Sequence, residues 1–314
     1  MASRTVGPDE FRDALRPLVE ALREFSAAVD AVAPRHGRTP WEDSPAMREI
    51  ADEHRYSGPS GWDQPIHDTH MLGDLTLRAA ADYVRTFAEA FMAERAPVYG
   101  HLVVARAALE SFAVCAWLSE PGIARDARVK RGLSDFLYTA VEESRLKIRD
   151  DDKSVKVWID RASKLGWQAT DYNGKAWSDK SRGKPVVDGV GRPSTGAGIT
   201  RLLVSDGESK VGQLLWSRLS AVSHVTFFGL RWALMLETRE DDSLSGLATV
   251  AVGTDSTRVY TQAFCILKAL RKAASAHFEL MDWQDDEWLT AAGTAERHER
   301  GLIDAIRVAS SDWS

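Results

Sequence analysis

Between Val98 and Leu118 the chain places Leu102, Val103, Ala107, Leu109, Phe112, Ala113 and Ala116 around most of a helical circumference, and Pro121 and Gly122 follow. A helix with so little polar surface must be covered on several sides, because each apolar side chain left in water forfeits the free energy of burial. This segment therefore requires a bundle of helices around it. The rest of the chain supplies them. Apolar residues recur at three and four, the helical period, from Asp9 to Val32 (Phe11, Leu15, Leu18, Val19, Leu22, Phe25, Val29) and from Thr69 to Glu94 (Leu72, Leu75, Ala79, Tyr83, Phe87, Phe91). The same spacing runs from Ile123 to about Lys147 (Val129, Leu133, Phe136, Leu137, Ala140, Val141), and further helices are expected over Val211–Leu236, Thr257–Met281 and Asp285–Val308. Pro17 predicts a kink or a late start in the first of them, since it removes a backbone donor.

The expected fold is an all-α helical bundle with long irregular insertions. Residues 1–66 read as an N-terminal helix plus a loop or lid, because Pro34 to Pro65 is rich in Pro, Gly, Ser and charge, with one short helix from Pro45 to His54. Residues 67–314 read as the bundle, interrupted by an irregular excursion over about 167–198. Leu247 to Val252 is the only strand-like run, too little for a sheet.

A hydrophobic fraction of 44% suffices for a core, and with 27% charged residues and no uninterrupted apolar run of about 18 residues no membrane span is expected. The opening MASRTVGPDEF puts acid before any apolar block, unlike a secretory signal, so the expected location is cytoplasmic. Cys115 and Cys265 both lie in apolar helical patterns, which excludes a disulfide framework and a thiolate-rich zinc site. A net charge of -6 argues against wholesale attachment to nucleic acid or anionic lipid. Arg125 to Lys184 nevertheless holds 15 Lys and Arg against 10 Asp and Glu, together with Trp158, Trp167 and Trp177. Indoles there could stack on bases, although core packing and a solvated mixed-charge face are the plainer uses.

Three constellations could carry chemistry. Gly189 to Thr200 (GVGRPSTGAGIT) resembles a phosphate loop but lacks its lysine and a preceding strand, so Ser194 or Thr195 is expected simply to cap a helix from about Gly198. WDQPIHDTHMLGD gathers Asp63, His67, Asp68, His70 and Asp74, all suitable metal ligands. Its His67-Asp68 doublet resembles that of HD-type phosphohydrolases, which also use an upstream His, here His36 or His54, and a distant Asp, here Asp82. Capping of a helix by Asp68 or Thr69 explains the same residues without metal. No G-x-S-x-G motif occurs.

The third is Arg218-Leu-Ser-Ala-Val-Ser-His224, set in an apolar helical pattern with Leu214, Leu215, Trp216, Leu219 and Val222. This R-x5-H arrangement resembles the R-x4-6-H signature of the HEPN superfamily. Residues 67 to 281 are also similar to actinobacterial all-helical proteins grouped near the HEPN-like families, in which a helix with R-x-x-L-E (here Arg106, Leu109, Glu110) precedes one ending in L-S-x-x-x-H. The resemblance implies a metal-independent ribonuclease of toxin or phage-defence type that needs no cofactor. His224 would be general acid or base, Arg218 would stabilise charge on phosphorus, and Glu110 would orient. Arg106, Ser220 and Ser223 would contact substrate. RNA, a second copy of the chain and an antitoxin or other protein are the implied partners. The HEPN pattern favours a polar residue after the arginine, where this chain has Leu219. On a straight helix residues six apart project about 120° from each other, so either the helix breaks near Ser223 or a homodimer brings Arg218 to the partner's His224. Two alternatives remain: a noncatalytic interaction module in which Arg218 pairs with Glu110 and His224 bonds a carbonyl, and a metal-dependent phosphohydrolase built on His67, Asp68 and His70.

Overall fold

The computed structural model describes residues 8–94, 99–146, 152–177, 184–204, 211–226, 237–238, 250–251 and 256–311. Among them, helices α1 (Pro8–Arg35), α2 (Pro45–Ile50), α3 (His54–Ser60), α4 (Pro65–Ala90), α5 (Gly100–Leu118), α6 (Arg125–Leu146) and α7 (Asp152–Lys164) precede strands β1 (Ala169–Thr170), β2 (Val186–Val187) and β3 (Val190–Gly191). Helices α8 (Thr195–Leu203) and α9 (Val211–Ser223), strands β4 (Glu237–Thr238) and β5 (Val250–Ala251), and helices α10 (Ser256–Met281) and α11 (Asp286–Ser311) complete them. The class is all-α.

α5 lies in the middle, packed against α4, α8, α9 and α10, with Ala105, Ala108, Leu109, Phe112 and Cys115 buried. Its 19 residues are long and apolar enough to span a bilayer, contrary to the expectation from run length. Its burial among the other helices makes it a core element instead. α1 continues through Pro17, which lies on its exposed face, away from the packing stripe. Leu15, Val19, Leu22, Phe25, Val29 and Val32 join the same core as α4, α5 and α10, and the segment read as a loop or lid carries α2 and α3.

A second core is built on α6, where Val129, Leu133 and Leu137 meet Trp62, Val155 and Ala162. The excursion over 167–198 is not wholly irregular. β1, β2 and β3 form an antiparallel sheet with Ala169 opposite Val187 and Val187 opposite Val190, which pairs backbone groups that burial would otherwise leave unsatisfied. Ser194 caps α8, its Oγ accepting from Ala197 N at 3.3 Å, so the helix begins at Thr195, slightly earlier than expected. The strand-like run finds a partner as well: Val250 lies opposite Thr238 and Ala251 opposite Glu237.

Two glycines set the helix spacing. A Cβ on Gly132 of α6 would overlap Thr69 of α4, and one on Gly212 of α9 would overlap the backbone of Thr200 in α8. At Gly212 the two backbones themselves approach too closely for a side chain, whereas at Gly132 the Thr69 side chain fills the space.

Candidate functional site

α9 carries the Arg–His pair. Gly212, Leu219 and Val222 form its buried stripe, whereas Arg218 falls off that stripe and is exposed, as is His224. The apolar pattern around the pair therefore does not bury it. The helix expected to reach Leu236 ends at Ser223, and 227–236 lie outside the described residues. Val225 N donates to Val222 O at 2.9 Å and Thr226 N to Ala221 O at 3.0 Å, a helix closure that puts Val225 in the left-handed region at φ 53°. His224 is the last residue before that reversal.

Glu110 is engaged elsewhere than expected. Its Oε1 accepts from Arg106 Nε at 2.8 Å and from Trp216 Nε1 at 2.8 Å, while the Arg106 guanidinium lies 5.7 Å from the centroid of the Trp216 ring. The anticipated Arg218–Glu110 pair gives way to this half-buried triplet, which ties α9 to α5. Arg106 and Glu110 are therefore brought to each other and to Trp216. Ser223 Oγ donates to Leu219 O at 2.9 Å within its own helix, and Ser220 is half-buried.

Several cations of the basic middle are paired with carboxylates from outside it or lie over indole rings. Arg125 pairs with Asp52, Lys130 with Asp188 and Arg131 with Glu120, while Arg161 lies 4.4 Å from the Trp158 ring centroid and Lys130 5.0 Å from that of Trp167. Trp158, Trp167 and Trp177 all pack against the second core, and Trp158 stacks on Phe136 at 4.9 Å.

The His/Asp cluster diverges. α4 starts at Pro65, ahead of the expected caps, and its free N–H groups are met from a distance: Glu53 Oε1 accepts from Ile66 N at 2.7 Å and His67 N at 3.1 Å. Asp68 instead accepts from Trp62 Nε1 at 2.6 Å. His70 turns inward, its Nε2 3.2 Å from Glu49 Oε2, and burial holds its pKa below the ordinary value. His36 contacts Asp285 at 3.2 Å and Asp82 pairs with Arg85, so neither joins the doublet. Among the described residues no group of three His, Cys, Asp or Glu side chains converges as a metal site.

Two of the clefts among the described residues bear on the chemistry. The larger, about 400 Å³, runs between α5, α8 and α10, with Trp117 and Leu202 among its apolar walls and Arg201 and Lys272 among its charged ones. The smaller, about 260 Å³, is walled by Arg38, His70, Asp74, Arg78, Met281 and Trp283, among others. Of its lining residues His67, His70 and Asp74 stand out in the sequence. The Asp74–Arg78 spacing of four, which gives a 2.8 Å ion pair, is the signal that could extend the set. The buried thiols of Cys115 and Cys265 are pushed up to about 12 by desolvation and are inert. Compared with family models, curated proteins and solved structures, the chain matches none.

Proposed function

We propose that this chain is a cytoplasmic, metal-independent ribonuclease of HEPN-like, toxin or phage-defence type, acting as a homodimer. His224 takes the proton as a ribose 2′-oxygen bonds to phosphorus, the P–O5′ bond breaks, and a proton is returned to the leaving 5′-oxygen. Arg218 meets the negative charge that gathers on the phosphoryl oxygens. The observation supporting this reading is exposure. Arg218, midway along α9, and His224, just past its last residue, are both exposed to a large polyanion, and no carboxylate among the described residues engages His224. Leu214 and Val225, which bracket the pair in sequence, are 59% and 70% exposed. Covering them with a second copy of α9 would place Arg218 of one subunit beside the other subunit's His224. Arg106 and Glu110 hold α9 on α5 through Trp216, which makes them positioning residues.

The test is cleavage of total RNA in the presence of chelator by the parent, His224→Ala and Arg218→Ala proteins, with circular dichroism to show that each is folded. Parent-only cleavage with a dimer mass by light scattering supports the reading. Indistinguishable products from parent and variants remove it. A second reading, a helical protein-interaction module, is favoured by the Arg106–Glu110–Trp216 triplet, which is complete without substrate. Absence of cleavage by any of the three proteins would leave that module in place of the enzyme.

A further inference from the structure

The smaller cleft shares no residue with the α9 site, so its chemistry is independent of the ribonuclease reading. Its floor is α4, from His67 to Arg78, and its walls are the turn after α1, Ile50 of α2 and the end of α10 with Trp283. Within it, polar atoms are left over. Arg78 Nε donates to Asp74 Oδ2 at 2.8 Å, yet Arg78 Nη2 is buried without a hydrogen-bond partner. His70 is only 3% exposed, and although its Nε2 approaches Glu49 neither ring nitrogen completes a hydrogen bond. Buried donors without acceptors are uncommon in a folded chain and call for a group that satisfies them. The backbone adds to this. Arg38 takes the left-handed region at φ 61°, which a long side chain rarely adopts, and so reaches the cleft mouth without an ion pair among the described residues.

We propose that this cleft binds a small carboxylic acid with an apolar body, its carboxylate held by Arg38 and Arg78 and its body lying against Met71, Leu75 and Trp283. Charge favours a monoanion: Asp74 offsets one of the two guanidiniums and burial keeps His70 neutral, so one positive charge remains. A guanidinium edge is the donor arrangement that carboxylates match. The walls Pro40, Ile50 and Met281 are apolar, which suits a hydrocarbon or ring and not a free phosphate. At about 260 Å³ the space is small beside most ligand pockets, which limits the guest to a compact acid.

Phenylacetate is the probe, with neutral phenylacetamide and inorganic phosphate as comparisons, titrated into the full chain by calorimetry up to about 10 mM. Two variants change exposed residues and leave the core alone: Arg38→Ala removes a guanidinium, and Leu75→Trp, at a site 55% exposed, fills the cleft. Saturable phenylacetate binding that weakens at least roughly tenfold in both, with phenylacetamide and phosphate bound weakly or not at all, is the expected result. No saturable binding, equal affinity for phenylacetamide, tighter binding of phosphate, or variants that bind as the parent does would each overturn the assignment. The Arg201→Ala protein, altered in the other cleft, is expected to bind as the parent. The RNA cleavage comparison reads out separately, so failure here leaves the α9 proposal standing.

Discussion

Glu49 and Arg128 meet edge to edge in the interior, with Arg128 Nε 3.0 Å from Glu49 Oε2 and Nη2 3.1 Å from Oε1, and the guanidinium fully covered. Arg128 also donates to the carbonyls of Leu118 and Glu120 at the end of α5, where a cation complements the helix dipole. Burial raises the Glu49 carboxyl, but the approach of His70 and the hydrogen bonds from Arg128 outweigh it and hold the group below its ordinary range. One carboxylate thus fastens α2, α4 and α6 to the end of α5. Glu49→Ala leaves a buried guanidinium uncompensated and is expected to destabilise the fold by about 3–5 kcal/mol in urea unfolding. Replacing both residues by apolar ones, Glu49→Leu with Arg128→Met, is expected to recover a large part of that loss. A single-variant loss below about 1 kcal/mol would show that the pair is replaceable by water.

His277 makes acid the weak side of the molecule. It is fully buried, shares a 2.9 Å hydrogen bond with Ser119 through Nδ1, and its Nε2 lies 3.9 Å from Asp74 Oδ1. Desolvation, reinforced by the nearby His70, Arg128 and Arg78, pushes its pKa down from 6.5 to about 3. The folded state therefore keeps the ring neutral while the unfolded chain takes up a proton below pH 6.5, so stability is whole above that pH and declines as pH falls toward 3. His70 is shifted in the same direction and adds to the slope. Denaturant unfolding between pH 7 and 4 is expected to show a decline that approaches about 1.4 kcal/mol per pH unit for each such histidine. His277→Gln, measured the same way, is expected to have the shallower dependence. An equal slope in both proteins would assign the acid sensitivity to other groups.

Much of this architecture is legible in the sequence because it rests on periodicity. The all-round apolar pattern of Val98–Leu118 identifies α5 as the buried centre, and the three-and-four spacings locate α1, α4, α6, α10 and α11 within a few residues. What escapes such a reading is set by tertiary contact. α7 buries Val155 and Ala162 and half-buries Trp158 and Ile159, a short stripe obscured by surrounding charge. The His67–Asp74 cluster resembles one site because its members are near in sequence, but α4 sends His70 and Asp74 inward and leaves Asp68 to Trp62. Arg128 and His277 carry no local signal, since nothing nearby in the chain announces that a guanidinium or an imidazole will be sealed from water. For Arg218 and His224 the sequence offers a motif, and exposure cannot be read from an apolar helical pattern alone.

Gly132 and Gly212 offer a contrast in how close packing fails. At Gly132 the obstacle to a Cβ is the Thr69 side chain, whereas at Gly212 it includes the backbone nitrogen of Thr200. Gly132→Ala is expected to destabilise by about 1–3 kcal/mol, and Thr69→Ala in the same chain is expected to return part of it by removing the hydroxyl and methyl that the new carbon meets. For Gly212→Ala no side-chain trimming at Thr200 helps, because the backbone itself must move and part α8 from α9. A double-mutant cycle in urea at each site checks this: coupling for Gly132 with Thr69 and none for Gly212 with Thr200→Ala.

α1 and α9 end with the same closure but with different residues at its strained position. After α1, Gly37 stands in the left-handed region at φ 64°, with Gly37 N donating to Pro34 O and Arg38 N to Ala33 O. After α9 the corresponding residue is Val225, at φ 53° and 70% exposed. A branched Cβ there costs roughly 1–2 kcal/mol, and so exposed a side chain recovers little by burial. Glycine's greater freedom in the unfolded chain takes back about 0.4–1 kcal/mol. For the dissociated subunit, Val225→Gly is therefore expected to stabilise the fold by about 0.5–1 kcal/mol in chemical denaturation at a dilution where no dimer forms, and Gly37→Val to destabilise it. At concentrations where the proposed dimer forms, the same variant is expected to lose stability and dimer mass, because the valine is then covered along α9; stabilisation at both concentrations would show that α9 is not the subunit contact.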